Sequence, residues 1–328
     1  MPTRHRLLAV VVALCWGLNF LAIDASLQHF PPFFLVALRF ALIAVPTMLF
    51  VPVPQVPLRW LVGYGLGFGT FQFLFLYWGM AAGMPAGLSS LVLQASAPFT
   101  VVLASVFLRT RLAPRASLGV LVAAVGLAVV GWQRLDGPAA FAPFVLVLAG
   151  ALAWAVGNIC TAQARAPHPL HLTLWMSVVP PLPMLALSLV VEGPRRIADS
   201  LTDWGSPATL PALVGLAYTI VVGTLVGSGI WSWLMARHPA GTVAPFSMLV
   251  PVVGMSAAWL ALGETVSRGE VAGAVLVVGG VLVATRPPRP AALVLEAEPA
   301  PQPEPGSEPG SERVVSPADR RPRAARAG

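Results

Sequence analysis

Residues 85–108 read PAGLSSLVLQASAPFTVVLASVFL, a stretch of 24 residues without a charged side chain. About 20 apolar residues cross the hydrocarbon core of a bilayer as a helix, so this stretch predicts a membrane span over 86–108. Pro98 lies within it and predicts a break, because proline has no N–H to donate and clashes with the carbonyl four residues earlier. The opening Pro-Ala-Gly recurs at 239–241, 154 residues later. This recurrence indicates that the span belongs to a repeated unit.

The whole chain has the composition of a membrane protein. Hydrophobic residues make up 57% and charged residues only 10%, with a mean hydropathy of +0.79, whereas a soluble domain carries roughly a quarter charged residues. The formal net charge is +7, but every basic residue is an arginine, and these lie singly or in small groups between apolar runs. That pattern lacks the basic patch with interleaved aromatic residues that nucleic-acid binding requires. The predicted partners are therefore the lipid bilayer and a small-molecule solute, with no nucleic acid.

Nine further apolar runs are present besides the one at 86–108. The run near the N-terminus follows Arg4 and Arg6 as a signal peptide would, but no small-residue cleavage site follows, and we expect it to be retained. The alternating ten-residue segments of a β-barrel are absent. We therefore predict an all-α, polytopic membrane protein with ten transmembrane helices, at 7–27, 33–51, 60–80, 86–108, 116–132, 141–161, 171–191, 209–235, 243–262 and 269–285.

The distribution of arginines predicts the orientation. With the N-terminus inside, ten arginines fall on the inner side and four on the outer side. Because basic residues accumulate in cytoplasmic loops, both termini are expected in the cytoplasm. The tail at 287–328 is rich in Pro, Glu, Ser and Arg and cannot bury enough apolar area to fold, so it is expected to be a disordered cytoplasmic tail.

An internal repeat relates the two halves of the chain. At the same offset of 154 residues, Gly119 falls on Gly273 and Gly126 falls on Gly280. The predicted units are 1–135, with spans 1 to 5, and 136–286, with spans 6 to 10. Because each unit has an odd number of spans, the second enters the membrane upside down. Such inverted repeats are typical of secondary transporters, whose solute site lies between the repeats near the middle of the membrane.

Polar and aromatic side chains inside the spans are the candidate site residues. Arg39 is the one basic residue well inside a span, and it can bind an anion or carboxylate, extend to the membrane interface, or pair with a carbonyl or acid. Asn158 in WAVGN matches Asn19 in WGLNF, one position out of register. The candidate solute-binding residues are Trp16, Asn19, Arg39, Gln72, Tyr77, Gln94, Trp154, Asn158, Trp175, Trp231 and Ser247, with helix breaks at Pro98, Pro245 and Pro251. Each amide or hydroxyl can instead be a structural link between helices.

The residues needed for catalysis or nucleotide binding are missing from the spans. All five histidines fall at the N-terminus or in loops, and there is neither an HExxH motif nor a phosphate-binding loop with lysine. The glycines of GYGLGFGTF (63–71) have the spacing of close helix contact. Cys15 and Cys160 lie in apolar runs and are expected to act as small buried hydrophobic residues. We predict no enzymatic activity, no metal and no cofactor.

Several motifs occur in an order that resembles a known family. These are WGLNF in the first span, Arg39-Phe40 in the second, WAVGNI in the sixth, and the stretches at 83–99 and 243–264. Together they resemble the EamA-type transporters of the drug/metabolite transporter superfamily, and among them the bacterial exporters of O-acetylserine and cysteine. The resemblance covers about residues 7–285. One departure is that Arg109 and Thr110 stand where members often end the fourth span with Gly-Glu, as the ninth does here at 263–264.

The resemblance implies a bacterial inner-membrane exporter of small amino-acid metabolites that works by alternating access. A different solute, such as a hydrophobic drug or a nucleobase, suits the tryptophan-rich and acid-poor interior. A membrane protein that moves no solute is the third alternative. The sequence does not decide the coupling ion or the oligomeric state.

Overall fold

The computed structural model describes residues 1–109, 112–133 and 138–285, and these residues form helices and connecting turns without a strand. Helices suit a bilayer because each backbone polar group is satisfied within its own segment. The ten long helical segments in this part of the chain, numbered in order, are Thr3–Leu27, Pro32–Phe50, 58–81, 86–108, Pro114–Trp132, Pro138–Ala164, Pro169–Val191, Thr209–Arg237, 240–262 and Arg268–Ala284. A short helix at Pro194–Thr202, which the sequence analysis did not predict, connects segments 7 and 8.

Eight of the ten segments are long and apolar enough to cross a membrane. The two that fall short are segment 3, which carries Gln72 among closely spaced glycines, and segment 10, which has 17 residues. The predicted tail at 287–328 and the predicted boundary between residues 135 and 136 lie outside the described residues. The protein is therefore an all-helical, multi-pass membrane protein.

Five segments change helix type or are interrupted along their length. Segments 3 and 8 contain π-helices at Gly65–Phe71 and Thr219–Val226, and segments 4 and 9 contain 3-10 turns at Leu93–Ala95 and Ala244–Met248. The flanking α-helices are Leu58–Tyr64 and Gln72–Ala81, Thr209–Tyr218 and Gly227–Arg237, Ala86–Val92 and Ser96–Leu108, and Ala240–Val243 and Leu249–Leu262, while segment 7 consists of Pro169–Met176 and Pro181–Val191.

The three prolines singled out in the sequence lie close to the 3-10 turns. Pro98 lies three residues beyond the turn of segment 4, Pro245 lies inside the turn of segment 9, and Pro251 follows that turn by three residues. A proline removes the hydrogen bond to the carbonyl four residues earlier, and for Pro98 this is the carbonyl of Gln94, within the turn. The irregular backbone of segments 4 and 9 therefore has a local cause in the sequence.

Segments 5 and 10 pack through glycines, and the contacts are reciprocal. A Cβ built on Gly119 would lie 2.6 Å from the carbonyl oxygen of Gly280, and one built on Gly280 would lie 2.7 Å from that of Gly119. The same relation joins Gly126 and Gly273, at 2.8 and 2.9 Å from each other's carbonyl oxygen. Glycine at these four positions lets the backbones approach as no larger residue would. Adding 154 to Gly119 gives Gly273 and adding 154 to Gly126 gives Gly280, so the offset relates one contacting pair to the other.

Two carboxylates from the second half hold the starts of helices in the first half. Glu192 accepts hydrogen bonds from the backbone N–H groups of Phe33 at 2.8 Å and Phe34 at 3.0 Å. Glu264 accepts from those of Ala86 at 2.7 Å and Gly87 at 3.0 Å. The first N–H groups of a helix have no partner inside the helix and carry a partial positive charge, which a carboxylate satisfies. Both acids therefore have a structural role in this conformation.

Candidate functional site

Arg39 lies inside the protein rather than at the membrane interface. The residue is 5% exposed. Its Nη1 donates a hydrogen bond to the Tyr77 hydroxyl of segment 3 at 2.9 Å, and its Nη2 donates to Thr224 Oγ1 of segment 8 at 3.0 Å. The guanidinium therefore connects segments 2, 3 and 8. These contacts correct the expectation that its side chain could extend to the interface, since both terminal nitrogens point to inward-facing partners.

The positive charge of Arg39 is not matched by an acid. Among the residues that the structure describes, no carboxylate forms an ion pair with it, and its buried Nε has no hydrogen-bond partner. Its Cζ atom lies 4.2 Å from the centre of the Phe73 ring and 5.3 Å from that of Phe40, so aromatic faces supply part of the missing negative potential. A buried charge without a counter-ion is costly, and a site that retains one favours an anionic ligand.

The π-helix of segment 8 brings further candidates next to Arg39. Trp16 Nε1 donates to the carbonyl of Gly223 at 2.9 Å, and the Trp16 and Trp231 rings lie 5.2 Å apart. A Cβ on Gly223 would lie 2.7 Å from Asn19 Oδ1, and this buried oxygen has no hydrogen-bond partner. Gly223 directly precedes Thr224, which bonds to Arg39. Trp16 and Asn19 therefore contact the same turn that bonds to the guanidinium, and Trp231 packs against Trp16.

A chain of aromatic rings extends from this cluster to segment 6. Phe73 makes edge contacts with Tyr77 at 5.7 Å and with Phe68 at 5.8 Å, and Phe68 makes one with Trp154 at 5.5 Å. Gln72, next to Phe73 in the chain, is 2% exposed and its Oε1 lacks a partner. The arginine, its neighbouring rings and the Asn19 amide form one largely buried region, which we name the Arg39 cluster and define as Trp16, Asn19, Arg39, Phe73, Tyr77, Thr224 and Trp231.

Four other candidates lie at contacts between helices elsewhere. Gln94 Nε2 contacts the Ser247 carbonyl at 3.3 Å and Met248 Sδ at 3.6 Å, which links the broken regions of segments 4 and 9. Asn158 Nδ2 donates to Thr100 Oγ1 at 3.0 Å. Trp175 Nε1 donates to the carbonyl at the end of segment 2 at 3.1 Å. Asn19 and Asn158 therefore contact different segments, each in the opposite half of the chain.

Thr224 and Phe73 belong to the cluster but were not among the sequence candidates. A signal for Thr224 was present, since the offset of 154 residues that aligns Pro-Ala-Gly also aligns Gly69-Thr70 with Gly223-Thr224, and Tyr64 with Tyr218. No such signal exists for Phe73, because one phenylalanine among many in an apolar segment is not distinguished by its neighbours. Its contact with Arg39 depends on how segments 2 and 3 pack.

The glycine-rich stretch of segment 3 packs tightly, as its spacing predicts. A Cβ on Gly67 would lie 2.8 Å from the backbone nitrogen of Gly157, and one on Gly63 would lie 2.7 Å from Cys160 Sγ.

Both Cys15 and Cys160 are buried free thiols. In the described part of the chain no group of three or more His, Cys, Asp or Glu could hold a metal ion.

Comparison with known proteins gives the family. The EamA-like transporter family matches the chain over residues 4–132 and 142–286. A probable amino-acid metabolite efflux pump of Salmonella typhimurium is 41% identical over 288 residues, which is 86% of this chain and 95% of the relative. The pump of the same name in Escherichia coli is 38% identical over the same shares of both chains.

More distant proteins share the fold. A probable terminal-alkyne amino-acid exporter of Streptantibioticus cattleyicolor is 27% identical over 225 residues, or 67% of this chain and 70% of the relative. A solved crystal structure matches 87% of this chain and 98% of its own with a TM-score of 0.58 and 20% identity, which bears on the fold alone. The coverage and the identity to the two efflux pumps show that the chain belongs to the EamA-like transporter family and is a membrane transporter, not an enzyme.

Proposed function

We propose that this protein exports small zwitterionic amino-acid metabolites of the cysteine and O-acetylserine kind, and that Arg39 binds their carboxylate. The observation that carries the proposal is the buried guanidinium, which has two neutral hydroxyl partners and no acid among the described residues. A carboxylate brings the opposite charge and can accept two parallel hydrogen bonds from a guanidinium, which neutral hydroxyls cannot do. A solute carboxylate would therefore complete the site.

The names of the relatives support this solute class. The two efflux pumps are named for amino-acid metabolites and the Streptantibioticus cattleyicolor relative for a terminal-alkyne amino acid. Every α-amino acid carries a carboxylate, so a common arginine contact can serve solutes with different side chains. A neutral drug or nucleobase would leave the charge of Arg39 unmatched, and this argues against the alternative solute class.

The proposal includes ten spans in two inverted halves that alternate access to the solute. We propose that segments 3 and 10 cross the membrane together with the eight apolar segments, and that the halves are 1–135 and 136–286. The reciprocal contacts of Gly119 with Gly280 and of Gly126 with Gly273 support a two-fold relation, as do the two separate family matches. The broken segments 4 and 9 correspond under the same offset, as expected for a transport site between repeats.

The proposed location is the bacterial inner membrane with both termini in the cytoplasm. The arginine distribution of the sequence supports this orientation. Under it the carboxylates of Glu192 and Glu264, which hold the starts of segments 2 and 4, lie on the outer side. The solute would then leave when the contacts around these two acids open, and Arg39, enclosed here, would become accessible.

The test is counterflow into proteoliposomes that contain the purified protein. Labelled cysteine and O-acetylserine are compared with the same compounds carrying a carboxamide in place of the carboxylate, in wild type, Arg39→Lys and Arg39→Ala. We expect the wild type to take up the acids in preference to the amides. Arg39→Ala should abolish this preference, and Arg39→Lys should retain part of it because the charge remains but the planar array of donors does not.

Three results would contradict the proposal. If a neutral drug or nucleobase is exchanged and no amino acid is, the solute class is wrong. If Arg39→Ala exchanges the acids as fast as wild type at equal protein content, Arg39 is not the carboxylate partner. Liposomes that exchange none of these solutes would favour a protein that does not transport.

A further inference from the structure

The hydroxyl of Thr224 accepts one of the two hydrogen bonds that the Arg39 guanidinium donates. Resting on the proposed function, we propose that Thr224 is a positioning residue that, with Tyr77, holds the Arg39 guanidinium so that its remaining N–H groups face the solute carboxylate. A guanidinium has five N–H donors in a fixed plane. Tyr77 and Thr224 each accept from one terminal nitrogen, so the Nε–H and one N–H on each terminal nitrogen remain.

The second hydrogen bond of Thr224 fixes which way its hydroxyl points. Thr224 Oγ1 donates to the carbonyl of Thr219 at 2.9 Å, five residues earlier in the π-helix. The hydroxyl proton is thereby engaged with the backbone, and only lone pairs of Oγ1 remain to face Arg39. The threonine therefore acts on the guanidinium purely as an acceptor, which is what orienting a cation requires.

The π-helix decides where this hydroxyl lies. In an α-helix a threonine hydroxyl bonds to a carbonyl three or four residues earlier, whereas here the partner is five residues earlier because the helix is wider. Returning this stretch to α-helical geometry would remove one residue from the turn and rotate Thr224 by about 100° relative to the preceding residues. The guanidinium would then lose one of its two acceptors.

The first half of the chain provides a matched comparison within the protein. Thr70 lies in the π-helix Gly65–Phe71, and its Oγ1 donates to the Gly65 carbonyl at 3.1 Å, again five residues earlier. Thr70 precedes Thr224 by 154 residues. Its hydroxyl has the same backbone bond but, within the described residues, no contact with a guanidinium. Both halves thus have a threonine in a π-helix, but only Thr224 of the second half bonds to a guanidinium. This asymmetry implies a single carboxylate site.

The experiment compares Thr224→Val, Thr224→Ser and Thr70→Val in the full-length protein. Valine keeps the shape of threonine but cannot accept a hydrogen bond, and serine keeps the hydroxyl. Counterflow kinetics in proteoliposomes would give KM and maximal rate for cysteine, O-acetylserine and their carboxamides. We expect Thr224→Val to raise KM for the acids about tenfold, in keeping with loss of one hydrogen bond to a charged group. KM for the amides should change less than twofold, and Thr224→Ser and Thr70→Val should behave as wild type.

A second readout needs no solute. Arginine labelled with nitrogen-15 at Nε reports the exchange of the Nε–H with water in detergent micelles, and Arg39→Lys assigns the Arg39 signal. Thr224→Val should accelerate this exchange several-fold because the guanidinium is freed, and Thr70→Val should leave it unchanged. If Thr224→Val does not fold, Thr224→Ala replaces it in both measurements.

The outcomes separate this inference from the proposed function. A Thr224→Val protein with the KM and Nε–H exchange of wild type overturns the positioning role, and so does a KM that rises equally for acids and amides, since that marks a general structural effect. If wild type recognises no carboxylate, the proposed function fails, while faster Nε–H exchange in Thr224→Val would still support the anchoring of Arg39 and unchanged exchange would refute it.

Discussion

The helix pair formed by segments 5 and 10 offers two neighbouring substitutions that differ in one contact. A Cβ at Gly280 would lie 2.4 Å from the Ala123 nitrogen and 2.7 Å from the Gly119 oxygen. These are backbone atoms, so they can move only if the helices separate. A Cβ at Gly279 would have no neighbour within 4 Å. Gly280→Ala and Gly279→Ala add the same methyl group to adjacent positions of one helix, and their difference reports the contact.

The expected difference in stability follows from these distances. An ordinary Cβ contact lies at 3.4–4 Å, so the Gly280→Ala helices must move apart by about 1 Å. A gap of about 0.5–1 Å loses a quarter to a half of each van der Waals contact that it affects, and overpacking costs about 1–3 kcal/mol. The gain of about 1 kcal/mol from replacing glycine in a helix applies to both variants and cancels. We expect Gly280→Ala to be about 2 kcal/mol less stable than Gly279→Ala.

Thermal unfolding of the purified proteins in one detergent, followed by circular dichroism, measures this difference. At about 2–4 °C per kcal/mol, Gly280→Ala should unfold about 4–8 °C below Gly279→Ala. The offset of 154 residues aligns Gly126 with Gly280, so Gly126→Ala should lower the stability by a similar amount. Equal melting temperatures for Gly279→Ala and Gly280→Ala would refute the close packing of segments 5 and 10. Unequal losses for Gly126→Ala and Gly280→Ala would contradict the two-fold relation between the halves.

Three further substitutions test contacts elsewhere in the protein. Glu264→Gln removes the charge that faces two backbone N–H groups at the start of segment 4 and should cost about 1–2 kcal/mol in thermal unfolding; an unchanged midpoint would show that the contact contributes nothing. Gly223→Ala places a Cβ 2.7 Å from Asn19 Oδ1 and should slow counterflow, whereas Gly229→Ala, with no neighbour within 4 Å, should not; equal rates would exclude crowding at this turn. Trp175→Phe loses one hydrogen bond to the end of segment 2 and should lower stability by about 1 kcal/mol without altering KM, so a raised KM would instead place Trp175 near the solute.

The membrane class of this protein could be predicted from its sequence because the bilayer imposes a simple rule. Runs of about 20 apolar residues become helices wherever water is absent, and the positions of the eight clearly apolar segments follow from that rule. The glycines through which segments 5 and 10 pack are also visible in the sequence, because close helix packing requires glycine at fixed spacing. The solute class is not given by composition, which indicates only that the protein lies in a membrane.

Part of the candidate set from the sequence lies together in the structure, and part does not. Trp16, Asn19, Arg39, Tyr77 and Trp231 lie near one another. They could be named from the sequence because their polar or aromatic groups are conspicuous inside apolar runs. Gln94, Asn158, Trp175 and Ser247 look equally conspicuous in the sequence but contact neighbouring helices elsewhere. Local sequence cannot separate the two sets, because the same amide or indole serves a solute or a neighbouring helix.

By itself, the sequence determined an all-helical membrane protein, a set of residues that match at an offset of 154, and an arginine inside the second span. Only the tertiary structure decided that Arg39 has hydroxyl partners and no acid among the described residues, and that Thr224 is one of those partners. The physical reason is that the hydrophobic effect and the length of a span act along the chain, whereas the partners of a buried charge come from residues 38 and 185 positions away. The positions of Tyr77 and Thr224 beside Arg39 depend on helix packing and on the π-helix of segment 8, which no local pattern specifies.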